Sequence, residues 1–223
     1  TVMGPLPRPE KPVPLDLKVD EETTVGELTR KKISYHTDST ERRVKAFLFL
    51  PKADKKPTPA VLCLHQTIGI GKGEPAGQGG SPNLHYALHL AQRGYVTLAP
   101  DYPSFGEYPF DFAPARGYTS GSMKAIYDNI RAVDLLQSLP EVDKDRIGMC
   151  GSSWGGFFTT LMAGIDPRLK AASAMHGTGS MQLGNAWWDG GTAAGPDAAF
   201  RERWRTSLDP AFRLPKSKVA ISW

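Results

Sequence analysis

One segment of the sequence, AVLCLHQ at residues 60–66, is apolar on both of the faces that a strand would present. Such a segment is typical of the middle of a parallel sheet, where helices cover both sides. Parallel neighbours require a long crossover connection, which is usually a helix. The segment therefore predicts a chain in which strands and helices alternate, the pattern of an α/β fold.

The rest of the sequence follows this alternation. Residues 27–37 and 42–52 alternate apolar with polar positions on either side of a short polar connection, so we expect an antiparallel pair at one edge of the sheet. Helical spacing over 83–94 ends at a glycine and is followed by an apolar strand at 95–102. The second half predicts, in chain order, a helix (121–139), a strand (146–150), a helix (154–164), a strand (169–177), a short helix (198–207) and a final strand (218–223).

The domain organisation follows from length and composition. The chain has 223 residues, of which 40% are hydrophobic and 22% charged, a balance typical of one compact domain. Residues 1–19 include five prolines and predict an extended N-terminal arm. We expect residues 20–223 to form a single α/β domain with a mostly parallel sheet and an antiparallel N-terminal edge.

The charge pattern argues against nucleic acid as a partner. Twenty-seven basic and 23 acidic residues give a formal net charge of +4, spread without a long run of like charges. No stretch of 18 apolar residues occurs, so we expect no membrane-spanning helix. The compartment stays open, because a cytoplasmic location and export after removal of a signal both fit the sequence.

No metal or organic cofactor is expected from the potential ligand residues. Cys63 and Cys150 fall inside predicted buried strands, where a thiol behaves as a small hydrophobe, and neither has CxxC spacing. His85 and His89 lie one helical turn apart, but no third ligand follows the spacing of a metal site. We therefore interpret the two histidines as part of an ordinary helix face.

The most informative motif is GSSWGG at residues 151–156, between a predicted strand and a predicted helix. This is the context of a G-x-S-x-G nucleophile elbow, in which a strained turn lifts a serine above the sheet. Gly151 and Gly155 flank Ser153, whereas Ser152 would place larger residues at the positions that need small ones. The motif predicts Ser153 as the nucleophile.

A nucleophilic serine also needs an oxyanion hole. Its two backbone N–H donors normally come from the residue after the nucleophile and from the loop after an earlier strand. Trp154 supplies the first donor. In the loop that begins HQTIGIGKG we expect the backbone N–H of Thr67 to be the second, with Gln66 as the alternative.

On these residues the chain resembles the α/β-hydrolase superfamily over nearly its whole length. The matching pieces are LCLHQT, GYVTLAPDY, DRIGMCGSSWGGFFTTLMAGIDPRLKAASAMHG and SLDPAFRLPKSKVAISW, and they resemble the dienelactone-hydrolase and acetyl-xylan-esterase type most. GSSWGGFFT is also similar to the elbow of prolyl-oligopeptidase-type peptidases, which share the catalytic domain. The resemblance implies a three-layer sandwich with Ser153 as nucleophile and the Thr67 and Trp154 amides as oxyanion hole.

The sequence departs from that superfamily after the elbow. There the triad follows the order Ser, Asp or Glu, then His, with the acid after the strand that KVAISW resembles. No His follows His176 and no carboxylate follows Asp209. We therefore expect the acid, the His and the last strand and loops to lie beyond residue 223. His176, at the end of a predicted strand, is the alternative base, although a pocket-lining role suits it better.

Two further features leave alternatives open. Asp101 follows a predicted strand and either orders a loop near the pocket or caps a turn. Trp187, Trp188 and Trp204 either form an aromatic rim for a sugar or acyl group or pack hydrophobically.

The sequence predicts a serine hydrolase that cleaves carboxylic esters through an acyl-enzyme on Ser153. A small-molecule ester or an acetylated sugar is the expected substrate, and the oligomeric state is open. The alternatives are a prolyl-oligopeptidase-type serine peptidase domain and a non-catalytic hydrolase fragment that retains only the pocket.

Overall fold

The computed structural model describes residues 11–52, 57–111, 118, 121–176 and the backbone of 219–222. Eight strands in these residues form one sheet in the order β1-β2-β3-β5-β4-β6-β7-β8. The pairings from β1 to β3 and from β3 to β5 are antiparallel, and all pairings from β5 to β8 are parallel. The strands are β1 (Lys18–Val25), β2 (Leu28–Tyr35), β3 (Val44–Leu50), β4 (Thr58–Leu64), β5 (Val96–Pro100), β6 (Val142–Ser152), β7 (Leu169–Met175) and β8 (Val219–Ser222).

Three α-helices connect the parallel strands in the described residues. They are α1 (Tyr86–Ala91), α2 (Gly121–Ser138) and α3 (Trp154–Ile165), and short 3-10 turns occur at Gly71–Gly73 and Pro82–Leu84. None of the helices in this part of the chain is long and apolar enough to cross a membrane.

The sequence-based α/β prediction is confirmed, including the antiparallel pair β2 and β3 and the central parallel strand β4. Two details differ from the prediction. β1 was not predicted as a strand, because its sequence KVDEETTV is mostly exposed and lacks an apolar face. The helix expected over 83–94 is divided into the 3-10 turn at Pro82–Leu84 and the shorter α1, with His85 at φ −77° and ψ 38° between them.

Two apolar cores lie against the sheet. One includes Ile33 and Tyr35 of β2 together with side chains of α2 and α3, and the other includes Leu28 of the same strand with Ala87 and Ala91 of α1. Since successive strand residues point to opposite faces, the odd and even positions of β2 serve different cores. The sheet is thus covered on both sides, as a parallel sheet requires.

The strand order places a topological switch point at the centre of the sheet. The chain passes from β4 to β5 on one side and then returns to β6 on the other side of β4. In open α/β sheets, ligands bind beyond the carboxyl ends of the strands at such a point. A functional site is therefore expected at the loops that follow β4 and β6.

Candidate active site

Ser153 occupies the sharp turn between β6 and α3. Its backbone has φ 51° and ψ −113°, a conformation that residues with a side chain rarely adopt. Strain of this kind costs about 1–3 kcal/mol and persists only where the surroundings enforce it. The Ser153 N–H donates to the Met175 carbonyl at 2.9 Å, and the Phe157 N–H donates to the Ser153 carbonyl at 2.9 Å. The turn is therefore fixed both to β7 and to the first turn of α3.

Three glycines around Ser153 make room for this turn. A Cβ on Gly151 would lie 2.5 Å from the carbonyl oxygen of Gly155, and a Cβ on Gly155 would lie 2.2 Å from that of Leu64. A Cβ on Gly156 would lie 2.0 Å from the His176 carbonyl oxygen. Real Cβ atoms do not come so close to backbone, so the elbow, β4 and β7 meet at distances that only glycine permits.

The two serines of the motif have different environments. Ser152 is the last residue of β6, pairs with Met175 of β7 and is 5% exposed. Ser153 is half-buried, and its side chain makes no capping hydrogen bond to α3. Of the two residues, Ser153 is therefore the more exposed.

The two backbone donors predicted from the sequence lie at the start of α3 and in the loop after β4. Trp154 is the first residue of α3, and a helix leaves its first N–H groups without partners inside the helix. In the described part of the chain, neither the Trp154 nor the Thr67 N–H has a hydrogen-bond acceptor. The close packing of Gly155 on Leu64 and His65 brings the start of α3 against the loop that holds Thr67. The oxyanion hole predicted from the sequence would draw its two donors from these two segments.

A buried carboxylate anchors the loop that carries Thr67. Glu74 is 1% exposed, and its Oε1 accepts hydrogen bonds from the Gln66 side-chain amide and from the Ser81 N–H, both at 3.1 Å. Gly80 packs against the same carboxylate, where a Cβ would lie 2.3 Å from Oε1. Sequence patterns gave no indication of this role for Glu74, because a glutamate in a glycine-rich loop is normally solvated.

Both ring nitrogens of His65, which directly follows β4, form hydrogen bonds within the protein. Its Nδ1 lies 2.5 Å from the Gln66 carbonyl oxygen, and its Nε2 accepts the Tyr102 N–H at 3.2 Å. Burial lowers the pKa of His65, more than the Gln66 carbonyl and the Asp101 charge raise it. With both ring nitrogens occupied and the neutral form favoured, His65 is unsuited to act as a general base.

All five histidines of the chain lie in the described residues. His36 bonds the Arg42 carbonyl on the β2–β3 hairpin, and His85 bonds the Gly79 carbonyl beside His89. The described residues contain no group of three or more His, Cys, Asp or Glu side chains that could hold a metal ion. His176 has an exposed side chain at the end of β7, and its carbonyl faces Gly156 of the elbow.

Asp101 orders two loops beside the site, which agrees with the first of its two sequence interpretations. The Asp101 carboxylate accepts hydrogen bonds from the backbone N–H groups of Lys72, at 2.8 Å, and Glu107, at 2.9 Å. The Lys72 ammonium, which is 3% exposed, pairs with Asp101 at 2.7 Å and with Glu107 at 2.6 Å. Buried charges need such complete pairing, so this network holds the loop after β4 against the loop after β5.

Aromatic side chains lie next to the elbow. Trp154 stacks on Phe157 with ring centroids 5.3 Å apart, and Phe158 lies between Trp154 and Tyr102. Trp187, Trp188, Trp204 and Asp209 lie outside the described residues. Cys63 and Cys150 are free and buried on paired strands, as predicted, with their sulfurs 3.7 Å apart.

Comparison with known proteins identifies a family that matches most of the chain. Residues 44–192 match the model of the Dienelactone hydrolase family. The hydrolase YtaP of Bacillus subtilis is 32% identical over 139 residues, which cover 57% of this chain and 46% of that protein. Acetyl esterase Axe7A of Xylanibacter ruminicola is 42% identical over 55 residues, which cover 24% of this chain and 12% of that protein.

A solved structure is similar over more of the chain. The acetyl xylan esterase of Paenibacillus sp. R4 has a TM-score of 0.63 and 21% sequence identity, covering 94% of this chain and 73% of that one. At this identity the likeness is one of fold. The match to YtaP spans less than half of that relative's length.

Proposed function

Because the chain belongs to the dienelactone hydrolase family, we propose that it carries the nucleophile and the oxyanion hole of a carboxylic-ester hydrolase. The observation that carries this proposal is the backbone of Ser153, held at φ 51° in a turn that three glycines make possible. Strained backbone that the surroundings enforce in this way is concentrated at active sites.

The proposed reaction has two steps. The Ser153 Oγ attacks the ester carbonyl carbon and loses its proton to a general base, and the tetrahedral oxyanion accepts hydrogen bonds from the Thr67 and Trp154 N–H groups. The C–O bond to the alcohol then breaks, the base returns the proton to the leaving oxygen, and an acyl-enzyme remains. Water attacks the acyl-enzyme with the help of the same base and releases the acid and free Ser153.

The general base is proposed to be a histidine that follows Ser153 in the chain. Triads on this fold have the order Ser, acid, His, and His176 is the one histidine among the 223 residues that follows Ser153. A histidine further along the reading frame is the other candidate. His65 is the less suitable choice, since both of its nitrogens are already hydrogen-bonded.

We propose an acetylated carbohydrate as the substrate class. The name of the relative Axe7A is acetyl esterase, and its match to this chain has the higher identity of the two relatives described above. The aromatic side chains of Trp154 and Phe157 beside Ser153 provide a surface on which a small acyl group can pack.

The test is hydrolysis of p-nitrophenyl acetate, compared with that of a peptide p-nitroanilide. Both are measured with the 223-residue chain and with a chain extended along its reading frame, each also as Ser153→Ala. We expect Ser153-dependent ester hydrolysis in at least one of the two chains, with much slower amide hydrolysis. A faster amide reaction would favour a peptidase, and no Ser153-dependent reaction in either chain would refute the proposal and favour a non-catalytic fragment.

A further inference from the structure

A cleft of about 410 Å³ lies on one face of the N-terminal edge of the sheet, apart from Ser153. Its walls are side chains of β1, β2 and β3 on one side and the loops after β4 and β5 on the other. Glu21, Arg30 and Lys32 project from β1 and β2 onto the face that carries Phe47 of β3. Ser153, Thr67 and Trp154 are not among the residues that line the cleft.

Most of the charge in the cleft is already neutralised within the protein. Lys32 pairs with one oxygen of Glu107 at 2.7 Å, and Lys72 pairs with the other at 2.6 Å. Asp101 is the second partner of Lys72. The two lysine charges therefore balance those of Glu107 and Asp101, and little net charge remains to attract an ion.

Three side chains in the walls keep unused hydrogen-bonding groups. Arg30 lies over the Phe47 ring, with its guanidinium carbon 5.2 Å from the ring centroid, and within the described residues its guanidinium has no hydrogen bond or ion pair. The carboxylate of Glu21 and the amide of Gln78 are exposed and likewise have no side-chain hydrogen bond in the described part of the chain. In the cleft, the Arg30 guanidinium can thus donate hydrogen bonds and the Glu21 carboxylate can accept them. The Gln78 amide can do both.

This mixture matches a ligand rich in hydroxyl groups. A hydroxyl donates one hydrogen bond and accepts two, so neighbouring hydroxyls can satisfy Arg30 and Glu21 at the same time. An anion would be opposed by Glu21 and a cation by Arg30. The Ile70 side chain, which is 43% exposed in the same cleft, supplies an apolar surface for the C–H face of a sugar ring.

The cleft is close to the proposed oxyanion hole. Gly69 lines it and follows Thr67 by two residues, so their Cα atoms are at most about 7 Å apart. A glycan whose ester group lies at Ser153 would reach the cleft by extending past Thr67 to Gly69. We propose that the cleft is a subsite for a neutral sugar unit of the esterified glycan, with Arg30 and Glu21 as its polar contacts; this inference rests on the proposed function for the position of the ester.

The experiment is an amide NMR titration of the 223-residue chain with unsubstituted xylotetraose, which requires no catalysis. We expect saturable binding with a dissociation constant on the order of 1 mM, and shifts concentrated at the Gly69, Gly73 and Gly106 amides. Arg30→Ala should weaken binding by about 10-fold or more, because it removes charged hydrogen bonds. Gly69→Leu should block the cleft, since a Cβ there meets nothing within 4 Å and the change is compatible with the fold.

Arg146→Ala is the matched control, because Arg146 lies in the amino-terminal half of β6, outside the cleft lining, and pairs only with Asp143 in the described residues. It should leave the dissociation constant within about twofold of the parent value. The inference is overturned if xylotetraose does not bind, if it binds equally well to Arg30→Ala and Gly69→Leu, or if only a galacturonate oligomer binds. Sugar binding that depends on Arg30, without any Ser153-dependent ester hydrolysis, would refute the proposed function and leave the subsite standing.

Discussion

Gly155 lies against the end of β4 so closely that a Cβ on it would be 2.2 Å from the Leu64 carbonyl oxygen. The contact joins the first turn of α3, which follows Ser153, to the strand that precedes Thr67. It therefore sets the distance between the two proposed oxyanion donors, Trp154 and Thr67.

Gly155→Ala should consequently destabilise the protein by at least about 2 kcal/mol, because a backbone carbonyl cannot move aside as a flexible side chain can. Urea unfolding followed by circular dichroism measures the loss. Gly69→Ala is the control, since its Cβ has open space and should change stability by less than about 0.5 kcal/mol. Equal stability of the two variants would show that α3 does not pack on β4 as described.

Thr67→Pro should slow ester hydrolysis by about 100- to 1000-fold, because it removes one oxyanion donor while the Michaelis constant changes little. Thr67 is exposed, and its N–H has no acceptor in the described residues, so the loss of this group breaks no structural hydrogen bond. Thr67→Ala keeps the N–H and should stay close to the parent. The rates are measured in whichever chain shows Ser153-dependent hydrolysis, and equal losses in both variants would assign the effect to the side chain instead.

Glu74→Ala should cost about 1 to 3 kcal/mol of stability, because it removes the buried acceptor of the Gln66 amide and the Ser81 N–H. Glu74→Gln keeps an oxygen at the Oε1 position and should cost less. Urea unfolding gives the stabilities, and hydrogen exchange should show faster exchange at Ser81 in Glu74→Ala. Glu27→Ala, at an exposed position, is the control. An unchanged stability in Glu74→Ala would mean that the carboxylate does not anchor the loop.

The sequence predicted the elements best where burial and periodicity agreed. β4 is apolar on both faces because it lies in the middle of the sheet, and the G-x-S-x-G spacing located the turn at Ser153. β1 was missed because an edge strand exposed to solvent lacks the apolar alternation that identifies strands.

The buried polar groups could not be predicted in the same way. Glu74 and Lys72 lie in a glycine-rich loop, and Lys124 is fully buried beside Asp128 within α2. Lys72 and Lys124 are buried because a carboxylate distant in sequence or on a neighbouring turn of helix compensates each charge. Glu74 instead has neutral donors, which reach only its Oε1. Pairings such as that of Lys72 with Asp101 arise from the sheet topology, which local sequence patterns do not specify.

The ion pairs of Glu107 should make stability depend on pH. Hydrogen bonds from the ammonium groups of Lys32 and Lys72 lower the pKa of Glu107 from 4.5 to about 2. Since the folded pKa is the lower one, the stabilisation is complete above the unfolded value of 4.5 and is lost as the pH falls towards 2. The difference in urea midpoint between the parent and Glu107→Gln should therefore be larger at about pH 6 than at about pH 3.

Glu141→Gln is the control for this experiment, because Glu141 is exposed and its side chain has no ion pair in the described residues. The urea midpoint of Glu141→Gln should equal that of the parent at both pH values. If the difference in urea midpoint between the parent and Glu107→Gln does not depend on pH, the pairing of Glu107 with Lys32 and Lys72 is contradicted.

Covalent labelling with a fluorophosphonate, followed by peptide mass spectrometry, tests most directly whether Ser153 is the nucleophile. The 223-residue chain and the chain extended along its reading frame are both labelled, together with their Ser153→Ala and Ser152→Ala variants. We expect one adduct per molecule on Ser153 in at least one of the two chains, retained in Ser152→Ala and absent from Ser153→Ala. An adduct on Ser152, or no adduct in either chain, would contradict the assignment of Ser153 as the nucleophile.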